Sequence, residues 1–285
     1  MSQLVWLITG CSSGLGEQFV HEILSRGDLV IATARKVEKI KHLQQAGAAI
    51  LPLDVTSDQS TLNETVSKAI SIHGRIDVLV NNAAYALLVS WEDAEYEELV
   101  AQFDANVFGV VKVTKAILPH LRQRKSGTMV FIGSRAGWYG DPFAGPYAGS
   151  KFAIEGFVES LCRETEQFGI KTLLVEPGGF RTKLLTAGNA RITPSRIPDY
   201  SASSKRFVHR MATQDQAQPG DPEKGVRIIV DLVRREGCAA NREVPFRFPL
   251  GIDCYDTIKE KCEETLALLK DWESVMRSTD YENTE

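Results

Sequence analysis

Short apolar runs alternate with longer amphipathic ones through the first two thirds of the chain. Leu4–Thr9 is a continuous apolar run, the pattern of a strand buried on both faces. Leu15–Arg26 then sets Phe19, Val20, Ile23 and Leu24 at helical spacing, and Gly27 stops it. Leu29–Ala34 predicts a second strand, Val37–Gln45 a short helix and Ala49–Leu53 a third strand. Asp58–Ile72 reads as a helix behind a Thr56-Ser57 capping region, and Ile76–Val80 as a fourth strand. Tyr96–Arg122 supports one long helix, with Leu99, Phe103, Asn106, Val110, Val113 and Ile117 in a stripe. Thr128–Ile132 follows as a strand, Tyr147–Phe168 as a second long helix and Thr172–Val175 as a sixth strand. Repeated β-α-β-α predicts an α/β fold: a doubly wound, Rossmann-type parallel sheet with helices on both faces.

The pattern then breaks. Arg181–Pro222 is polar, carries Pro194, Pro198 and Pro219, and shows no clear period until a helix resumes at Glu223–Arg234. A loop of that length in a compact domain is functional or mobile as a rule. Val244–Phe248 fits a last edge strand, Tyr255–Met276 a terminal helix, and the acidic end Asp280–Glu285 a frayed tail. No repeat or linker divides the chain. The expected organisation is one catalytic domain over 1–250, with a mobile lid at about 183–222, and a helical extension at 251–285 packed on it.

Bulk properties narrow the function. A net charge of −4 without a basic run argues against nucleic acid. No apolar stretch approaches the roughly 18 residues of a membrane span, and Met1–Gly10 lacks the basic start of a signal peptide. Five scattered cysteines without a C-x-x-C pair read as reduced thiols, which points to the cytoplasm. The histidines show no ligand spacing, and no metal is required.

Three clusters hold the chemistry. Thr9-Gly10-Cys11-Ser12-Ser13-Gly14-Leu15-Gly16 joins the first strand to the first helix. There Gly10 permits a tight turn, Gly14 lets a pyrophosphate approach the backbone, and Gly16 lets helix and strand pack closely. The helix start, at Leu15, offers free N–H groups and partial positive charge to phosphates. Tyr147 precedes Lys151 by four residues, so phenol and ammonium share a helix face. A cation beside a phenol favours the phenolate and can bring its pKa from about 10 toward neutrality. Ser134 ends the fifth strand, at the sheet edge where ligands bind in open α/β folds.

The glycine spacing, with Tyr147, Lys151 and Ser134 thirteen residues before the tyrosine, resembles the short-chain dehydrogenase/reductase family over about residues 4–250. The resemblance implies a nicotinamide cofactor, hydride transfer, and Tyr147 as proton donor or acceptor. It implies that Ser134 orients the substrate oxygen and that Lys151 lowers the tyrosine pKa and holds the nicotinamide ribose. It makes Asn106 a helix-bending residue that holds a water relaying protons to the lysine. Asp54 is similar to the adenine-contacting acid, and Asn82, in Asn81-Asn82-Ala83-Ala84, to part of N-N-A-G, from which Ala84 departs. Pro177, Gly178 and Thr182 are similar to a P-G-x-x-x-T segment that meets the carboxamide.

The second strand ends without the acid that would hold a 2′-hydroxyl. Arg35 stands there instead, placed to grip a 2′-phosphate, with Ser12 or Ser13 adding a hydroxyl. NADP(H) is therefore the expected cofactor. The expected reaction interconverts a carbonyl and a secondary alcohol on a small apolar or aromatic substrate. Leu184, Leu185, Ile192, Ile197, Tyr200 and Phe207 would line one side, and Trp138, Tyr139 and Phe143 the other. The competing expectations are a non-catalytic NADP(H) sensor on this fold, or an epimerase or dehydratase. The two long helices, by analogy with the family, pair into a homodimer or homotetramer.

Overall fold

The computed structural model describes residues 3–186 and 188–281; residues 282–285 of the expected frayed tail lie outside them. The chain runs through β1 (Val5–Ile8), α1 (Gly14–Ser25), β2 (Leu29–Ala34), α2 (Lys41–Gln45), β3 (Ala49–Pro52), α3 (Gln59–His73) and β4 (Val78–Asn81). It continues through β5 (Ala86–Leu88), α4 (Tyr96–Phe103), α5 (Gly109–Arg124), β6 (Gly127–Ile132), α6 (Gly145–Thr165) and β7 (Ile170–Pro177). The last part holds β8 (Ala190–Ile192), α7 (Pro198–Gln214), α8 (Pro222–Arg234), β9 (Arg247–Leu250), α9 (Ile252–Asp271) and α10 (Glu273–Arg277).

Seven strands form one parallel sheet in the order β3-β2-β1-β4-β6-β7-β9. The order reverses between β1 and β4, and a crevice opens beyond their C-terminal ends. Alternation along β1 builds both faces. Trp6 and Ile8 join α1 and α8 residues such as Phe19, Val20, Ile229 and Val230 in one core. Val5 and Leu7 join Val66, Val113, Ile117 and Ile154 of α3, α5 and α6 in the other. All twelve of these side chains are almost wholly withdrawn from solvent, each burial worth about 1.5–3 kcal/mol for a large aliphatic or aromatic group.

A buried ion pair ties one end of the sheet. Asp28, between α1 and β2, accepts from Leu4 N at 3.0 Å and from Trp6 Nε1 at 2.9 Å. Arg234, ending α8, donates to both carboxylate oxygens at 2.7 and 2.6 Å.

Some expected boundaries move. Tyr96–Arg122 is not one straight α-helix: a π-helical segment at Asp104–Phe108 separates α4 from α5. Val37–Gln45 opens with a 3-10 turn, Val37–Ile40, before α2. The sixth main strand is longer than expected, and the edge strand falls at Arg247–Leu250 rather than Val244–Phe248. The terminal helix starts earlier, at Ile252, and breaks at Trp272.

The largest correction concerns Arg181–Pro222. It holds the seventeen-residue α7 and the strand β8, which pairs in parallel with β5 as a separate two-stranded sheet. Pro198 begins α7, where a proline lacks nothing by lacking an N–H; the residue that read as a breaker is a starter. β5 and β8 have three residues each, too short to show a period.

Candidate active site

A cleft of about 490 Å³ lies along the C-terminal edge of the sheet, over the β1/β4 switch point. Gly10, Ser12, Ser13, Gly14, Leu15, Arg35, Asp54, Asn82, Ser134, Tyr147, Lys151, Pro177, Gly178 and Thr182 all border it. Gly16 and Asn106 do not; both act from behind.

The glycine turn is shaped for close approach. Gly10 and Gly14 hold φ of +73° and +63°, the left-handed region that favours glycine. A Cβ on Gly16 would fall 2.4 Å from the Gly10 carbonyl oxygen, so Gly16 is required where α1 meets its own turn. Ser13 caps α1 without bonding its hydroxyl to the helix amides. The first-turn N–H groups have no intrahelical partner and face the cleft. Asn82 laces this turn to β4: its Nδ2 donates to Thr9 O and Gly10 O at 2.9 and 3.0 Å. Thr9 Oγ1 in return accepts from Asn82 N and Ala83 N, both at 3.0 Å. This arrangement fits a pyrophosphate, with exposed Arg35 at the far end of the cleft open to a further phosphate.

At the other end, Ser134 leaves β6 and accepts from Ala136 N at 3.0 Å, opening the 3-10 turn Arg135–Gly137. Tyr147 and Lys151 lie one turn apart on α6. Burial pushes the Tyr147 phenol up from its ordinary pKa, opposed by the neighbouring Ser134 hydroxyl and the Arg135 charge. The expectation is of a phenol drawn down toward neutrality by Lys151; burial outweighs the neighbouring groups instead, and Lys151 Nζ, donating to Ile132 O at 2.7 Å, sits 5.8 Å from the phenol ring centroid. Burial also pulls the Lys151 ammonium down to about 8, with Glu155 opposing.

Asn106 is buried in the π-helical segment, a wider turn frequent at functional sites. Its Oδ1 accepts from Tyr85 N at 3.1 Å, and its Nδ2 donates to Tyr85 O at 2.9 Å and Ser150 Oγ at 3.2 Å. The amide thus holds Tyr85 and α6 in place.

The apolar walls differ in part from expectation. Phe143 and Phe207 pack with ring centroids 5.5 Å apart, beside Tyr147, Leu185, Ile192 and Met211. Trp138 turns away: its Nε1 donates to Glu176 Oε1 at 2.9 Å, and Arg247 stacks on its ring. Tyr139 is half exposed under Arg135. Of the apolar residues expected to wall the cleft, Leu184 alone borders it; Phe143, Leu185, Ile192 and Phe207 form a cluster against Tyr147, and Tyr200 bonds Glu92 at 2.7 Å.

Two cleft residues escaped the sequence reading. Tyr85 follows the Asn81–Ala84 turn, and its place past a strand end at the switch point was the available signal. Asn189 joins the lid to the glycine turn, with Nδ2 3.0 Å from Lys183 O and 3.5 Å from Ser13 Oγ. Nothing local in the sequence marks it.

Comparison with known proteins agrees with this geometry. The family model described as short chain dehydrogenase matches residues 4–193. Retinol dehydrogenase 8 of Homo sapiens is 39% identical over 266 residues, covering 85% of this chain and 81% of that protein. A solved short-chain dehydrogenase from Streptomyces avermitilis superposes with a TM-score of 0.86 at 35% identity, covering 98% of this chain and 99% of that one. A structure of ElxO with NADP bound superposes with a TM-score of 0.70 at 26% identity, covering 88% of this chain and 97% of that one.

Proposed function

The chain belongs to the short-chain dehydrogenase family, and we propose that it is an NADP(H)-dependent oxidoreductase interconverting a carbonyl and a secondary alcohol on an apolar substrate. The supporting observation is the meeting of Ser134, Tyr147 and Lys151 at the end of the cleft opposite Arg35. The glycine turn, the start of α1 and Arg35 would hold the cofactor phosphates, with Asp54, Pro177, Gly178 and Thr182 along the rest of it.

A bound reduced nicotinamide supplies the hydride. Tyr147, kept protonated by burial, gives its proton to the substrate oxygen as that oxygen gains negative charge. Ser134 donates a hydrogen bond to the same oxygen and steadies it. The ammonium of Lys151 favours the tyrosinate that remains. Hydride and proton together convert the carbonyl to an alcohol; oxidation is the reverse, with tyrosinate as base. Asn106 serves the site by fixing Tyr85 and Ser150 rather than by touching substrate.

Phe143, Leu185, Ile192, Phe207 and Met211 beside Tyr147 support an apolar substrate. The relative named retinol dehydrogenase 8 is in keeping with that class. Residues 1–250 are read as the catalytic unit; of the expected extension at 251–285, the start of α9 packs on it through buried Cys254, while residues 262–281 are exposed. Apolar groups left exposed along α4 to α6, among them Tyr96, Phe108, Phe152 and Phe157, support a homodimer or homotetramer through those helices. Among the described residues no helix is long and apolar enough to cross a membrane, and the five unpaired cysteines support a cytoplasmic setting.

Tyr147→Phe tests the reading. With a panel of apolar ketones and NADPH absorbance, turnover should fall roughly a hundred- to ten-thousand-fold while NADPH still binds. Retained turnover would remove Tyr147 from the role of proton donor.

A further inference from the structure

Behind Lys151, away from the cleft, two glutamates are buried together. Glu155 stands one turn along α6 from Lys151 and is 4% exposed; Glu176, near the end of β7, is wholly buried. One guanidinium serves both. Arg247 Nη1 donates to Glu155 Oε2 at 2.8 Å and to Glu176 Oε1 at 3.0 Å. The remaining oxygens, Glu155 Oε1 and Glu176 Oε2, have no hydrogen-bond partner. Two carboxylates on one guanidinium leave one negative charge in the interior, which is costly unless a cation or a proton compensates it. Lys151, buried one turn earlier on α6, makes no direct ion pair with either carboxylate, its ammonium being bonded to Ile132 O, but it lies near enough to feel the Glu155 charge.

The turn that follows Ser134 lies directly against this carboxylate: a Cβ on Gly137 would fall 1.8 Å from Glu155 Oε1. The same buried group thus supports the serine turn and underlies the lysine.

We propose that Glu155 is a positioning residue for Lys151: its carboxylate, shared with Glu176 across Arg247, supplies the negative charge that keeps Lys151 an ammonium beside Tyr147. This rests on the catalytic reading of Tyr147 and Lys151 above.

Burial, aided by the Glu176 charge and opposed by Arg247, pushes Glu155 up to about 7. Burial likewise raises Glu176, against Trp138 and Arg247. Between about 7, where Glu155 loses its proton, and about 8, where Lys151 loses its own, both partners are charged. Other charges face the cluster from every side. Glu159 of α6 reaches Arg247 Nη2 at 3.4 Å. Arg135 of the serine turn is paired with Asp141. From α9, Lys261 bonds the Trp138 carbonyl, Asp253 bonds Gly179 N at 2.7 Å, and buried Cys254 is held up at about 12 by burial and by Glu176.

The experiment follows Lys151 directly, in protein carrying carbon-13 at the lysine Cε, its resonance assigned by its loss in Lys151→Met. In the unaltered protein the resonance should show two inflections, the lower one near pH 7 as Glu155 ionises. In Glu155→Gln the lower inflection should vanish and Lys151 should titrate about one pH unit lower. The alkaline limb of ketone reduction should move down by the same amount, and Glu155→Asp should restore part of both shifts. A single step at the ordinary lysine value in the unaltered protein overturns the proposal, even if Glu155→Gln does not fold. Titration and pH limb both unmoved in Glu155→Gln overturn it too. Active Tyr147→Phe would instead sink the catalytic reading, while the resonance still decides whether Glu155 and Lys151 are coupled.

Discussion

Arg35 is exposed, unpaired with any acid by hydrogen bond or ion pair among the described residues, and borders the cleft at the end of β2. A 2′-phosphate offers it a bidentate partner; a bare 2′-hydroxyl does not. Arg35→Asp should weaken NADPH binding by about 1.5–3 kcal/mol, roughly ten- to a hundred-fold, and favour NADH. Fluorescence titration of both cofactors checks this, and an unchanged ratio of affinities would refute the 2′-phosphate role. Arg35 was legible in the sequence because strand ends mark the sheet edge. The behaviour of Tyr147 was not. Its four-residue spacing to Lys151 predicted the shared face, but the pKa direction depends on burial by distant segments. Trp138 was misplaced for the same kind of reason: its partners, Glu176 and Arg247, lie far along the chain.

Periodicity gave the strands of the main sheet and their helices, because each buries a long enough stripe to leave a pattern. It failed where burial is thin. In α7 only Ser204 and Phe207 are buried, so a seventeen-residue helix reads as polar loop. The π-helical segment inside Tyr96–Arg122 keeps its stripe nearly continuous, and only Asn106, poor in a helix interior, hinted at it. Where packing is dense, single changes should be costly. Asp28 anchors the approach to β2 and the end of α8, and its side chain is 1% exposed. Asp28→Ala would leave Arg234 with only Glu236, at 2.8 Å, and Trp6 Nε1 without an acceptor. The expected loss is about 3–5 kcal/mol in chemical denaturation, and a loss below about 1 kcal/mol would show the pair to be dispensable.

Across the fold, strand order places the glycine turn, Arg35, Ser134 and Tyr147 on one edge, and that much followed from β-α-β alternation. The coupling of the lid to this edge did not. Three rungs join β8 to β5, closed by Ala86 N to Asn189 O at 3.0 Å and Thr193 N to Leu88 O at 3.1 Å. Between them Leu87 N donates to Gln102 Oε1 at 2.6 Å instead, and Gln102 also holds Tyr85 O, the carbonyl that Asn106 shares. The two sides of the ladder therefore belong to different kinetic classes. Opening of segment 183–222 away from β5 would expose the amides of Ala86 and Thr193 together, so these should exchange with deuterium at a common rate. The Leu87 amide, secured by α4, should be slower. Amide exchange followed by NMR would read this directly, and unequal rates for Ala86 and Thr193 would mean that the ladder does not open as a unit. Isotope uptake at three neighbouring backbone sites would thus time how often the segment bearing β8 parts from the cleft's edge.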